Sequence, residues 1–414
     1  DIAPKSIYVS GKSVSGAGLC VGGDSLITLN DRGMHEIKDY VEKNFKNGKE
    51  EMKGAFSSAF ESKVASADNG LKFQYHRSSK IWKIRPPMKL VQIITKRGKE
   101  VKLTPNTMVV AMAQGIPLWK KASELTKDDI IATSRKVIPL SGRQIPLIDL
   151  IGNPNIRVRS RDFIGITNKL SKKFGSLTAV AKRYSLDRER LYINRSMRQG
   201  VKLQLLKQMA SDAGLDSSEI DVESVFLRYG KTCKIPKWLT PELCYIAGLV
   251  AGDGDIHIKD SSGFVRLHSK DPGIIANVKE TIEARFGLHA RVVKQGERIA
   301  NVVTSSVLLA EIFSKLGIPA GEKSHKIDIP PIITSAGEKC VAAYLRGLFD
   351  TDGWVSVRTR GSSSIGLCTC SRKLALKTLL LLEWWGIVAK MRCRNDKVGQ
   401  KSRIRGKIVI TKKE

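Results

Sequence analysis

The first third of the chain, from about residue 20 to 140, contains short runs in which apolar and polar residues alternate. The runs Leu90 to Thr95 and Glu100 to Thr104 flank a turn of Lys, Arg and Gly, and this arrangement predicts a β-hairpin. Met108 to Met112 and Asp129 to Thr133 predict two further strands. We therefore expect this part of the chain to be β-rich.

The stretch of about 155–235 has apolar residues at helical spacing and about twice as many Lys and Arg as Asp and Glu. Leu177 to Tyr184 predicts one helix, and Arg188 to Tyr192 predicts a second, opened by Asp187 after a short break. This pattern is typical of a helix-turn-helix that binds DNA, and a plain basic helical hairpin is the alternative. The candidate DNA-binding residues are Arg183, Arg188, Arg190, Arg195 and Arg198.

From about 236 to 395, helical runs alternate with β-branched runs, and one motif occurs twice. Ile246 to Gly254 and Leu345 to Gly353 each begin in an apolar helical run and end in Asp-Gly. The two copies are 99 residues apart and in the same register. They indicate an internal repeat.

Each motif has two small residues that are four positions apart and therefore lie on the same face of the helix. They are Gly248 and Gly252 in the first copy, and Gly347 and Thr351 in the second. A Gly costs a helix about 1 kcal/mol relative to Ala, so such a face is expected where two backbones approach closely. If these two faces pack against each other, Asp253 and Asp352 emerge side by side.

The chain is strongly basic, because 71 Lys and Arg stand against 40 Asp and Glu and give a formal net charge of +31. Such a charge indicates an anionic partner, above all nucleic acid, with general Lys/Arg richness as the alternative. Two converging carboxylates repel each other unless a divalent cation lies between them, and Mg²⁺ favours carboxylate and phosphate oxygens. Metal-bridged carboxylates beside DNA phosphates can activate water. The plainer interpretation is that each Asp-Gly only ends a helix.

Composition excludes several classes of protein. A hydrophobic fraction of 42% excludes wholesale disorder. The sequence has no run of 18 apolar residues, so it predicts no membrane span. The seven Cys lack the paired spacing of zinc ligands, which favours a reducing, intracellular compartment. The chain starts without Met and without a signal-peptide pattern, so we expect a fragment of a longer protein.

The repeated motif resembles the LAGLIDADG homing endonucleases. The resemblance covers most of 236–395, and each copy is followed by a strand-like run, Asp255 to Ile258 and Trp354 to Val357. It implies a pseudo-twofold pair of αββαββα halves whose β-sheets form a saddle on double-stranded DNA.

The resemblance also implies the site residues. Asp253 and Asp352 correspond to the metal-binding catalytic acids, with Mg²⁺ as cofactor. A Lys between the motifs assists in many members of the family, and here Lys323 and Lys326 are the candidates. Either Lys is as easily a phosphate contact.

The β-rich stretch resembles the N-terminal half of an intein. Cys20 to Ile27 is similar to the opening block, whose first residue is a Cys nucleophile, and Val101 to Asn106 and Glu124 to Thr133 are similar to the two following blocks. The family fold is the all-β HINT module, here interrupted by the nuclease. The resemblance implies that Cys20 attacks the carbonyl of Leu19 without any cofactor.

Thr104 and Asp129 match family positions that support this acyl shift, and two features depart from the family pattern. Thr107 stands where a His is expected, so we expect a slower first step. The chain also ends before the terminal His-Asn pair, so we expect it not to ligate its flanks alone.

The segment Ala3 to Leu19 resembles part of the archaeal minichromosome maintenance (MCM) helicases, which would make it a host segment in cis. Its Gly11-Lys12-Ser13 is not a phosphate loop, because Ser6 stands where that loop needs Gly. We therefore expect no nucleotide binding by this chain. An element that acts on DNA inside such a host would be found in an archaeal-type cytoplasm, associated with the nucleoid.

The predicted fold class is α+β multidomain: an incomplete all-β HINT module plus a pseudo-twofold αββαββα endonuclease. A Mg²⁺-dependent nuclease is the leading hypothesis. A decayed DNA-binding module without cleavage is a second, and an ATPase function that follows the host is a third. The predicted domains are a host segment at 1–19, the splicing half at 20–140, the basic helical region at 155–235, the endonuclease at 236–395 and a basic tail at 396–414.

Overall fold

The structure is a computed structural model. It describes residues 21–30, 33–67, 72–85, 89–134, 142–226, 232–259, 262–295, 299–357, 363–398 and 401–411. Cys20 and the host-like segment 1–19 lie outside these residues.

The described residues form the following elements. The helices are α1 (Ile37–Asn44), α2 (Asp162–Phe174), α3 (Leu177–Arg183), α4 (Arg188–Arg195), α5 (Leu203–Asp212), α6 (Pro241–Asp253), α7 (Pro272–Phe286), α8 (Val307–Lys315), α9 (Pro331–Ser335), α10 (Glu338–Asp352) and α11 (Arg372–Leu382). The strands are β1 (Leu26–Leu29), β2 (Gly33–Glu36), β3 (Lys49–Met52), β4 (Ala55–Ala67), β5 (Phe73–Ile84), β6 (Val91–Ile94), β7 (Glu100–Leu103), β8 (Met108–Ala113), β9 (Ile116–Lys121), β10 (Ile130–Ile131), β11 (Arg157–Arg159), β12 (Val201–Lys202), β13 (Ser224–Phe226), β14 (Thr232–Cys233), β15 (Gly254–Lys259), β16 (Ser262–Ser269), β17 (Arg291–Gln295), β18 (Ile299–Ser305), β19 (Gly353–Ser356), β20 (Ser364–Thr369), β21 (Ala389–Val398) and β22 (Lys401–Thr411).

The chain divides into two compact units. Unit 1 comprises Asp1–Arg143, Ile327–Ala342 and Asp352–Glu414. Unit 2 comprises Gln144–Lys326 and Ala343–Thr351, and therefore includes the middle of helix α10.

The N-terminal part of unit 1 is β-rich, as its pattern predicts. A five-stranded sheet has the order β2-β1-β4-β3, with β5 paired to β4, and β10-β8-β9 form a three-stranded sheet. Helix α1 buries Ile37, Tyr40 and Val41, which share one face by their spacing. That face packs against Ile27 and Leu29 of β1 and closes a small apolar core.

The individual strand predictions in this part are largely confirmed. Strands β6 and β7 form the expected antiparallel hairpin, with Val91 opposite Leu103. Strand β8 covers the run from Met108. The run predicted from Asp129 is shorter than expected, because Asp129 accepts a hydrogen bond from Thr126 in a turn and only Ile130–Ile131 pair with β8.

The repeated motif introduces two similar arrangements of elements. The first repeat half runs α6-β15-β16-α7-β17-β18-α8 in unit 2, and its sheet has the order β15-β16-β18-β17. The second repeat half runs α10-β19-β20-α11-β21-β22, and its sheet has the order β19-β20-β22-β21. The described residues thus repeat one mixed α/β topology, with both motif helices and the strands that follow them as predicted.

The basic stretch expected as a tail at 396–414 is corrected by the structure. Lys401–Thr411 is strand β22, which pairs with β20 on one side and with β21 on the other. Its basic residues Lys401, Arg403, Arg405 and Lys407 occupy every second position, as is typical of one face of a strand, but the excess of charge led us to expect a tail. The second repeat half therefore extends to at least Thr411.

The region of 155–235 is not purely helical, which corrects a second expectation. Besides helices α2 to α5, this region contains a four-stranded sheet in the order β12-β11-β13-β14. Each of these strands has only two or three residues, too few for an alternating pattern to be recognised in the sequence. Their core is formed by buried apolar side chains, among them Val158, Phe163, Leu170, Leu191 and Leu203.

No helix among the described residues is long and apolar enough to cross a membrane.

Candidate active site

Helix α6 carries the first motif and is buried along most of its length. Thr240 caps it, since its Oγ1 accepts a hydrogen bond from the Leu243 N–H at 3.5 Å, and Pro241 occupies the first helical position. All residues from Leu243 to Ala251 are buried, as expected of a helix that is apolar all round. The helix ends at Asp253, which is exposed.

Helices α6 and α10 contact each other through their glycines, which confirms the predicted small-residue faces. A Cβ atom on Gly248 would overlap the carbonyl oxygen of Tyr344 and lie 3.1 Å from the Cα of Gly347. A Cβ atom on Gly347 would in turn overlap the carbonyl oxygen of Tyr245. The contact is reciprocal, as in a twofold interface, because each Tyr and each Gly has its counterpart 99 residues away.

Each motif helix ends five residues after its contact glycine, at Asp253 in one and Asp352 in the other. Asp253 is exposed, and Asp352 is half-buried. The described residues contain no group of three or more His, Cys, Asp or Glu side chains that could hold a metal ion.

Tyr245 links the two motif helices by a second contact, which the sequence did not reveal. Its hydroxyl donates a hydrogen bond to Oδ2 of Asp350 at 2.9 Å, and the Arg346 guanidinium lies 3.9 Å from the centre of its ring. Burial, followed by the hydrogen bond to Asp350, raises the pKa of Tyr245 to about 12. Tyr245 therefore remains a neutral donor at any physiological pH.

Lys323 lies at the carboxyl end of α6. Its ammonium donates to the carbonyl oxygens of Val250 and Ala251 at 2.9 Å each, and to that of Gly252. The last carbonyls of a helix lack partners within it, and a cation there is favoured by the helix dipole. Lys323 thus holds the backbone that leads directly to Asp253.

Lys326, the other candidate, is exposed. Its backbone N–H donates to the carbonyl of Lys323 at 2.9 Å, so the two residues share one turn. Of these two candidates, Lys323 is the one whose ammonium binds the motif helix. The structure therefore distinguishes two Lys residues that were equivalent candidates in the sequence.

The two helices predicted in this region are present as α3 and α4, an arrangement that fits both a helix-turn-helix and a plain helical hairpin. Ser176 caps α3 by accepting from the Ala179 N–H at 3.1 Å, while Asp187 precedes α4 without a side-chain cap. Ser185, in the turn, has φ 51°, a left-handed conformation that Gly adopts most easily. The turn is also anchored, because Tyr184 donates a hydrogen bond to Asp212 at 2.7 Å.

The five candidate arginines of this region have different environments. Arg188 and Arg190 on α4, and Arg198 after it, are exposed. Arg183 is exposed and lies 5.1 Å from the ring centre of Phe174. Arg195 is half-buried and donates to Thr167 at 2.5 Å and to Asn168 at 3.0 Å, both on α2, so it holds α4 to α2.

Thr104, one of the splicing candidates, directly follows a strand that pairs with the chain after Cys20. Val21 forms a β-bridge with Leu103, and the Gly22 N–H donates to the carbonyl of Lys102 at 2.7 Å. Thr104, the residue after strand β7, is buried, and its hydroxyl is 2.9 Å from the hydroxyl of Thr107. The chain immediately after Cys20 therefore runs beside the strand that leads to Thr104.

Asp129 is held by its own turn. Its carboxylate accepts from the Thr126 N–H at 2.6 Å and from the Lys120 ammonium at 2.9 Å. These bonds lower the pKa of Asp129 to about 2. The residue is therefore a carboxylate at physiological pH.

Comparison with known protein families identifies one domain. Residues 240–317 and 339–414 match the LAGLIDADG-like domain family. These two segments contain both motif helices and both four-stranded sheets that follow them. The chain therefore contains a LAGLIDADG-like domain of mixed α/β structure.

Several curated proteins are similar to most of the chain. It is 28% identical over 395 residues to the reverse gyrase of Thermococcus kodakarensis, covering 92% of this chain and 20% of the relative. It is 25% identical to elongation factor 2 of Methanopyrus kandleri, covering 75% of this chain and 24% of the relative. It is 23% identical to the glutamine–fructose-6-phosphate aminotransferase of Methanocaldococcus jannaschii, covering 94% of this chain and 33% of the relative. The chain thus spans between about a fifth and a third of these relatives.

Two solved structures show partial similarity. The PabCDC21-1 intein is 25% identical, with a TM-score of 0.25, over 28% of this chain and 73% of that one. An I-DmoI variant in complex with its target DNA is 15% identical, with a TM-score of 0.29, over 41% of this chain and 88% of that one.

Proposed function

We propose that the chain is a homing endonuclease within an intein, and that it hydrolyses both strands of a specific double-stranded DNA site with Mg²⁺. The observation that carries this proposal is the reciprocal contact of α6 and α10 at Gly248 and Gly347, inside a LAGLIDADG-like domain. Both helices end in an Asp five residues beyond that contact. A formal net charge of +31 suits a polyanionic substrate.

Asp253 and Asp352 are the proposed metal ligands. Mg²⁺ is commonly bound by one or two carboxylates together with substrate phosphates and water, and two Asp side chains fit that donor set. A bound divalent ion would supply Lewis acidity at the scissile phosphate. The protein's own contribution is to hold two anionic side chains at the ends of two packed helices, where phosphate oxygens of bound DNA would supply further ligands to the ion.

Lys323 is proposed as a positioning residue. Its ammonium binds three carbonyls at the end of α6, so it fixes the backbone direction of Asp253 and contributes positive charge beside it. A compact ammonium in this position also favours an incoming phosphate. Lys326, which is exposed, is proposed as a phosphate contact.

The region of 155–235 is proposed to extend DNA recognition. Exposed Arg183, Arg188, Arg190 and Arg198 on and around α3 and α4 suit contacts to phosphates. Arg195 is proposed to act indirectly, because it is bound to Thr167 and Asn168 and so orients α4 on α2.

The intein proposal rests on the kind of relatives that the chain has. Reverse gyrase, elongation factor 2 and an aminotransferase have unrelated activities, yet each is similar to this chain over 20–33% of its own length. A segment shared by unrelated proteins is expected of an inserted element. We propose Cys20, Thr104 and Asp129 as its splicing residues, acting without a cofactor.

The host is proposed to be an archaeal MCM helicase, on the resemblance of Ala3 to Leu19. The element would then act in the cytoplasm at the nucleoid, with nucleotide binding left to the intact host. No membrane association is proposed.

Plasmid cleavage tests this function. The substrate is a supercoiled plasmid that carries the uninterrupted MCM gene segment, incubated with the whole chain and either Mg²⁺ or EDTA. We expect a single double-strand cut with Mg²⁺ and none with EDTA. Specific binding without a cut would contradict nuclease activity, and cleavage only of a plasmid library with other inserts would contradict the MCM host.

A further inference from the structure

The sheet of the first repeat half has one apolar face and one polar face. Ile256, Val265, Leu267 and Val302 are at most 4% exposed and lie on the side covered by the helices. The alternate positions Asp255, His257, Phe264, Arg266 and His268 form the opposite side, called here the outward face.

Arg266 and Asp255 form the central pair of the outward face. They are directly opposite each other on β16 and β15. Arg266 Nε donates to Oδ1 of Asp255 at 2.8 Å, and Nη2 donates to Oδ2 at 3.1 Å. The carboxylate therefore occupies one side of the guanidinium.

This side-on geometry decides which donors remain for a ligand. It uses the Nε–H and one Nη2–H, so the edge formed by Nη1 and the second Nη2–H is not used by Asp255. That edge presents two parallel N–H donors, which match a pair of neighbouring acceptors that lie in one plane. Guanine O6 and N7 in the DNA major groove are such a pair.

Aromatic rings restrict the same guanidinium from another direction. The Phe264 ring centre lies 5.4 Å from the guanidinium carbon. His257 stacks on Phe264 at 5.5 Å with an interplanar angle of 17°. His268 Nε2 lies 3.5 Å from Oδ1 of Asp255, on the side away from Phe264 along β16. An Arg held between a carboxylate and a ring loses little freedom on binding.

We infer that Arg266 is a specificity-determining residue that binds one guanine of the DNA site through its outer N–H edge, with Asp255 as the residue that positions it. This inference rests on the proposed DNA function and adds the recognition of one particular base. A merely structural ion pair across two strands would affect stability without affecting any base preference.

A binding selection tests the inference. The whole chain is incubated with a pool of randomised DNA duplexes in Ca²⁺, and bound duplexes are sequenced. The variants are Arg266→Gln, Arg266→Lys and Asp255→Asn. Arg285→Gln is the matched control, because Arg285 is exposed on α7 and outside the outward face. Thermal unfolding of each variant verifies that it is folded.

We expect the wild type to require G at one position that Arg266→Gln no longer requires, with the other positions unchanged. The preference for G there should fall roughly 10- to 100-fold, as for loss of a bidentate base contact. Arg266→Lys should keep part of it, Asp255→Asn should weaken it, and Arg285→Gln should leave it intact.

Two negative results differ in meaning. An Arg266→Gln variant that selects the same sequences as the wild type overturns this inference alone. A wild-type chain that enriches no sequence overturns the proposed site-specific function, and the base assignment with it.

Discussion

The two repeat halves share a topology but differ in what they bury. Among the described residues, the buried side chains of the first half are all apolar or neutral, whereas the second half buries Lys377 and Glu383. Lys377 donates to Asp328 at 2.5 Å and to the carbonyl of Ile329 at 2.8 Å. Glu383 pairs with Lys99 and accepts from Ser134 at 2.8 Å.

The partners of these charges show why the halves differ. Lys99 and Ser134 belong to the N-terminal β-rich part of unit 1, and Asp328 precedes α9. The same part also binds the second half through Arg372 with Glu100 and through the Met391 N–H with the carbonyl of Arg97. A surface that packs on another polar segment can bury charge, because each charge is paired there.

The inner faces of the two sheets also differ. Ile256 and Val265 in the first half are 2% and 4% exposed, and helix α8 packs on their strands. Val355 and Ile365 occupy the same pairing positions in the second half and are 67% and 46% exposed. At these matching positions, burial therefore follows coverage by a helix and not the strand pattern.

The largest expected effect concerns the feature that the two halves share, the glycine contact between α6 and α10. Gly248→Ala and Gly347→Ala should each cost about 3 kcal/mol or more, since each new methyl group would overlap a backbone oxygen that has no room to move. Gly165→Ala, in the first turn of α2 with no atom near its Cβ position, should instead stabilise by up to about 1 kcal/mol. Thermal and urea unfolding measure all three. Clearly unequal losses at the two motif glycines would contradict a reciprocal contact.

A second prediction concerns the inner faces. Ile256→Ala should destabilise the protein by about 2–4 kcal/mol, because it opens a cavity under α8. Val355→Ala should change the free energy of unfolding by less than about 0.5 kcal/mol, as at other exposed sites. Urea unfolding compares the two. Similar losses would show that the second inner face is covered in solution.

A third prediction concerns the buried charge. Lys377→Met should cost about 2–3 kcal/mol at pH 7, because it leaves the half-buried Asp328 carboxylate without its cation. The double variant Lys377→Met with Asp328→Leu should be close to the wild type. A double variant as unstable as the single one would show that the charges are not coupled.

The pH dependence of that variant has a defined sign. Burial raises the pKa of Asp328 above its ordinary value, so the folded state takes up a proton more readily than the unfolded state. Stability linked to this group is therefore greatest at low pH and falls as pH rises. The deficit of Lys377→Met should be smaller near pH 4 than at pH 7.

Sequence patterns predict the regular elements better than the contacts. The motif helices, their glycine faces and the hairpin at 91–103 follow from local spacing, and all three are present. The small sheet within 155–235 escapes prediction because its strands are too short to show a period. Strand β22 escapes prediction because its charge resembles that of a basic tail.

Contacts between distant residues leave no pattern to detect. Lys323 binds the end of a helix more than 70 residues earlier, and nothing in its neighbours distinguishes it from Lys326. Lys377 looks like a surface residue in an amphipathic run, yet it is buried by a segment that precedes α9. Such roles depend on tertiary packing, which residue spacing does not encode.

Cleavage and binding by acid-to-amide variants test the central proposal most directly. Asp253→Asn and Asp352→Asn remove one anionic ligand each, with Asp216→Asn, an exposed helix-cap residue outside both motifs, as the matched control. We predict that both motif variants bind the target DNA with near wild-type affinity and fail to cut it with Mg²⁺, while the control cuts normally. Full cleavage by the double variant Asp253→Asn with Asp352→Asn would contradict the account.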